Sequence, residues 1–110
     1  MGTNLKPLPG WLPLDERRAQ RWPMDMPARL QTQMQAAKIG ARVLDLSTGG
    51  CLLVVPGGMA LGRYVTLTLP HSLAAEGWIA WSSGDHAGMD FAHAFPPALV
   101  DLLIREHTPS

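Results

Sequence analysis

Six short runs dominate the chain, each of eight residues or fewer and each bounded by proline or glycine. From Ala28 to Gln35, Leu30, Thr32 and Met34 fall on one parity and Gln31, Gln33 and Gln35 on the other. Successive side chains of a strand point to opposite faces, so this is the pattern of a strand half buried in a sheet, introduced by Pro27. Ala41 to Leu46 alternates again, which sets Val43 and Asp45 against Arg42, Leu44 and Leu46. Cys51 to Val55 is a short apolar strand, and Pro56-Gly57-Gly58 behind it is turn chemistry. In Tyr64 to Leu69 the inward set is Val65, Leu67 and Leu69, and Pro70 closes the run. Trp78 to Ser82 and Gly88 to Ala92 read as the arms of a hairpin around Ser83-Gly84-Asp85. Short strands at this spacing predict an antiparallel barrel or sandwich.

The tail follows another period. Pro97 suits the first turn of a helix, and Leu99, Leu102 and Leu103 recur at helical spacing with Val100 and Ile104 beside them. Arg105 and His107 near its end complement the helix dipole. One amphipathic helix is expected to close or cap the sheet.

With 110 residues, 46% of them apolar and 16% charged, the chain can build one core. Nine basic residues balance nine acidic ones, so no molecule-wide field gathers DNA or anionic lipid, and any anion site must be local. Cys51 is the only cysteine; it excludes an internal disulfide and a cysteine zinc site, suits a reducing cytoplasm, and reads as a small buried hydrophobe. Pro7, Pro9 and Pro13 interrupt any secretory pattern, and no run approaches membrane-spanning length. Residues 1–14 are expected to be a flexible N-terminal arm, and residues 15–107 the folded domain with its helix.

Catalytic and metal chemistry finds little support. Gly57 and Gly62 are spaced as in a phosphate loop, but Arg63-Tyr64 stands where Lys and then Ser or Thr are needed, between two strands. The four histidines are dispersed, and His86 and His93 differ in parity. No His is placed to activate Ser47, and no carboxylate pair suggests acid–base work. The chain does not read as an enzyme, and no cofactor is expected. Trp78 and Trp81, three apart in a strand, are expected on opposite faces, one in the core and one at a rim. Met34 and Met89 read as core filler.

Two clusters remain. Arg17-Arg18-Ala19-Gln20-Arg21 is charge-dense and stops short of Pro23. Asp45-Leu46-Ser47-Thr48-Gly49-Gly50 joins two strands, with a carboxylate and a hydroxyl two residues apart and a glycine pair able to take backbone angles closed to other residues. In this order, two dozen residues apart and ahead of several short strands, they resemble the Arg-x-x-x-Arg and Asp/Asn-x-Ser-x-x-Gly motifs of the PilZ domain family, bacterial receptors for cyclic di-GMP. Gln20 stands where members often carry Pro. Trp81 at a strand end, Gly88-Met89-Asp90-Phe91 in the last strand and the final helix extend the resemblance over roughly residues 14–106.

The resemblance implies an all-β fold, a six-stranded antiparallel split barrel with a C-terminal α-helix, binding cyclic di-GMP on its outer surface. It assigns the ligand to Arg17, Arg18, Arg21, Asp45, Ser47 and Gly50. Arg17 and Arg21 carry planar forks that grip phosphate oxygens, bond guanine O6 and N7, or stack on a base, with Arg18 as an auxiliary contact. Asp45 can accept from the ring N–H and amino group of guanine, a donor edge that adenine lacks. Ser47 can add a bond, and Gly50 lets backbone come close. The implied output is relay to an unidentified protein effector in the cytoplasm by ordering of the arginine-bearing arm, without DNA binding or membrane insertion. The alternatives are a ligand-independent PilZ-like adaptor and a single-stranded nucleic-acid barrel. The second wants a basic groove with exposed aromatics, against which zero net charge, one Tyr and two Phe argue.

Overall fold

A computed structural model describes residues 22–33 and 37–108. Six strands, β1 (Trp22–Thr32), β2 (Ile39–Leu46), β3 (Gly50–Val54), β4 (Tyr64–Thr68), β5 (Ala74–Ser83) and β6 (His86–Phe91), are followed by helix α1 (Pro97–His107). All pairings are antiparallel, and the order β1-β2-β3-β6-β5-β4 closes into a barrel through β1 and β4. Of the two architectures the strand pattern allows, the barrel is the one adopted, and its closure pairs β1 with β4 over Arg29–Thr32.

The core follows the alternation where the strands are regular. Leu30 and Thr32 are buried on β1, and Val65, Leu67 and Leu69 are buried along and just past β4. Met26, Leu53, Ile79 and Met89 complete the interior from the other strands, and Cys51 is buried among them as a free thiol. Helix α1 packs on β1 and buries Val100 and Leu103, while Leu99 and Ile104 lie partly covered against the core. Leu102, placed by its spacing with the apolar stripe, is exposed. No helix among the described residues is long and apolar enough to cross a membrane.

Three departures from strict alternation matter for the site. The first strand begins at Trp22, ahead of both Pro23 and Pro27, and runs to Thr32; Met34 and Gln35 of the expected run lie outside the described residues. Its first half pairs with β2 alone, because the β1–β4 ladder runs only from Arg29 to Thr32, and a strand segment with one open side tolerates proline. In β2 the register shifts between Val43 and Asp45, so Val43 and Leu46 are both buried and Asp45 shares the outer face. The expected grouping of Val43 with Asp45 is thereby overturned: one extra residue reverses parity for everything after it. A second shift, between Ile79 and Trp81, places Trp78 and Trp81 together outside, not on opposite faces.

The hairpin tip is Gly84-Asp85. Gly84 is left-handed (φ 58°) at the first loop position, as a two-residue turn of type II′ demands.

Candidate functional site

The turn from β2 to β3 is built by its own serine. The Ser47 N–H donates to the Gly50 carbonyl at 2.9 Å, the Ser47 hydroxyl donates to the same oxygen at 3.3 Å, and the Gly49 N–H donates to that hydroxyl at 3.3 Å. Ser47 is fully buried, so its side chain is committed to the bend. The turn is also gripped from outside: the Phe91 N–H donates to the Gly49 carbonyl and the Phe95 N–H to the Thr48 carbonyl, both at 2.9 Å. A connection tied at both ends presents fixed backbone. The glycine pair does not use the left-handed region expected of it; the left-handed glycines among the described residues are Gly57, Gly58, Gly62 and Gly84. Gly50 instead opens β3, buried and paired with Asp90.

Asp45 stands at the head of an outer row. It pairs with Leu52, Leu52 with Gly88, and Gly88 with Trp81, crossing β2, β3, β6 and β5. The neighbours Leu46, Cys51, Met89 and Ile79 all point inward, which fixes the outward sense of this row. Trp81 lies flat over Gly88: a Cβ built there would meet the indole Nε1 at 2.0 Å, so no other residue fits without moving the ring. That buried indole N–H has no acceptor among the described residues. A second outer row runs Gly50, Asp90, Trp78, Tyr64. Trp78 is 47% exposed and meets the Tyr64 ring edge-on, with centroids 5.1 Å apart. Tyr64 donates its hydroxyl to Glu76 at 3.1 Å, and desolvation, with this hydrogen bond and the carboxylate's charge behind it, raises the phenol above its usual range. Beside the rows, Arg42 forms an exposed ion pair with Asp25.

The sequence-derived residues divide in two. Asp45, Ser47 and Gly50 are brought together at the turn. Arg17, Arg18 and Arg21 lie outside the described residues, as does the arm over residues 1–14. The ladder nevertheless fixes where that segment joins: Trp22 pairs with Leu46 and Pro23 with Asp45, so Arg21 is covalently next to the residue opposite Leu46. Sequence reasoning left Leu52, Gly88, Trp78 and Asp90 out of the site because two bulges set the faces on which they meet. The visible signal was Gly88, a glycine inside a strand, which marks close approach by another group.

Other clefts offer less. A shallow groove of about 220 Å³, lined by Pro27, Arg29, Thr68 and Pro70 among others, lies between β1 and β4, away from the turn. In the phosphate-loop look-alike, the Val55 and Gly57 N–H groups donate to the Asp85 carbonyl and carboxylate. Among the described residues no group of three or more His, Cys, Asp or Glu could hold a metal ion.

Comparison with known proteins points the same way. The PilZ domain profile matches residues 15–106. Among solved structures, the PilZ domain of CeSA from a cellulose-synthesising bacterium superposes with a TM-score of 0.58 at 15% identity, covering 79% of this chain and 93% of that one, a likeness of fold. No curated protein matches the chain.

Proposed function

The chain belongs to the PilZ domain family, and on that premise we propose that it is a receptor for cyclic di-GMP that passes the signal to a protein effector. The observation that supports the reading is the ladder Trp22–Leu46 and Pro23–Asp45, which starts β1 opposite the Asp45 end of a doubly tied turn, one residue after Arg21 in the sequence. Arg17 and Arg21 grip the phosphodiester and the O6/N7 edge of guanine, and Arg18 supports them. Asp45 accepts from the guanine N–H groups, which no adenine can replace. Ser47 acts mainly through the turn it builds, and Gly50 keeps the approach to the β3 backbone short.

The relay rests on the same junction. Ligand bridging the arginines and Asp45 orders the segment ahead of β1 over the barrel face and gives the effector a new surface. Protection from amide exchange in residues 5–22 is expected to rise on saturation with cyclic di-GMP; exchange that stays the same refutes the relay. The chemistry is binding without turnover, and cytoplasmic location follows from where the ligand is made and used.

Calorimetric titration with cyclic di-GMP tests the receptor reading. Arg17→Ala, Arg21→Ala and Asp45→Ala are each expected to weaken binding by roughly tenfold or more, as loss of a bidentate or charge-assisted contact of about 1.5–3 kcal/mol requires, with unchanged circular dichroism. Absence of heat from the intact, folded protein would leave the adaptor reading in its place.

A further inference from the structure

We infer that Trp78 is a stacking platform for the second base of the bound dinucleotide, an inference that rests on the receptor reading above. The indole lies on the same outer face as the turn, in the row Gly50, Asp90, Trp78, so two inter-strand steps, roughly 10 Å, separate it from Gly50. Its environment holds it ready. Tyr64 packs edge-on against it from β4 and is itself anchored by its hydroxyl to Glu76, yet 47% of Trp78 remains exposed. A large aromatic surface held open in this way gives up little side-chain freedom when a flat ligand covers it.

Charge selects what can lie there. Asp90 is the cross-strand partner of Trp78, and Glu76 lies two residues along the same face of β5. The exposed carboxylate of Glu76 disfavours a phosphate at this end and leaves a neutral, planar base as the compatible group. The arginines and Asp45 take one base and the phosphodiester; the ring of the dinucleotide carries the other base towards Trp78. Stacking tolerates any base, so Trp78 adds affinity and orientation, whereas guanine selectivity stays with Asp45 and the arginines.

The test is calorimetry with cyclic di-GMP on the full chain, its Trp78→Ala variant and its Trp78→Phe variant, with thermal melts confirming that each is folded. The expected result is weaker binding by roughly 5- to 100-fold in Trp78→Ala and a smaller loss in Trp78→Phe, which keeps a ring. Ligand-induced quenching of indole fluorescence should also shrink in both variants. If the unmodified protein binds and Trp78→Ala binds within twofold of it, the platform is refuted, the receptor reading stands, and the exposed indole passes to protein contact. If the unmodified protein gives no heat, the receptor reading falls and the platform with it.

Discussion

Two strand connections of this barrel solve the same problem in opposite ways. The turn from β2 to β3 keeps ordinary backbone angles and is tied by hydrogen bonds from Ser47, Phe91 and Phe95. The connection from β4 to β5, a short 3-10 turn over Pro70–Ser72, puts two consecutive non-glycine residues, His71 (φ 66°) and Ser72 (φ 60°), in the left-handed region. It is tied across to helix α1 by an exposed contact of His71 Nε2 with Glu106 Oε1 at 2.8 Å. The left-handed conformation costs an ordinary residue about 1–2 kcal/mol, and an exposed polar contact of this kind returns only about 0–1 kcal/mol. The turn that carries the candidate site is therefore over-determined, whereas the one away from it holds local strain. The hydrogen bonds are concentrated at the turn that follows Asp45.

The largest way to break this contrast is Gly77→Ala. A Cβ there would lie 1.8 Å from the Asp90 carbonyl oxygen, so β6 must move away from β5 and take the Phe91 grip on the turn with it. Overpacking against backbone predicts a loss of about 3 kcal/mol or more in denaturant unfolding, together with loss of ligand binding. A variant with unchanged unfolding midpoint would show that the grip does not depend on this close approach.

Ser47→Ala is the intermediate case. It removes a buried hydroxyl that both donates and accepts inside the turn, and should cost about 1–2 kcal/mol. If Ser47 works through the turn, stability and affinity fall together; affinity lost at full stability would make it a direct ligand contact instead. The smallest effect belongs to the other connection. Ser72→Gly relieves one left-handed residue at the entropic cost of glycine, for a net gain of about 0–1 kcal/mol and no change in ligand affinity. A measurable loss in thermal melting would mean that Pro70–Ser72 is not where strain sits.

Much of this was legible before any tertiary contact. Alternation placed Leu30, Thr32, Val65, Leu67 and Leu69 inside, and the punctuation by proline and glycine separated six strands from one helix. The Asp45–Gly50 turn was visible from its residue types. The bulges near Leu44 and Ala80 were not, because an extra residue in a strand has no signature of composition and shows only as a broken register. The residues just past each bulge therefore fall on the face opposite to the one alternation gives them, Asp45 relative to Val43 and Trp81 relative to Trp78.

The local rules of the chain thus determined which segments extend, which one coils, and which residues can bend sharply between strands, since these depend on neighbours two to four positions away. The pairing of β3 with β6 and of β1 with both β2 and β4 is another matter. Those ladders join residues tens of positions apart, and only barrel closure sets their register. It was register that put Asp45, Leu52, Gly88 and Trp81 into one row, seated Trp78 beside Asp90, and set Trp22 and Pro23 opposite Leu46 and Asp45 at the turn.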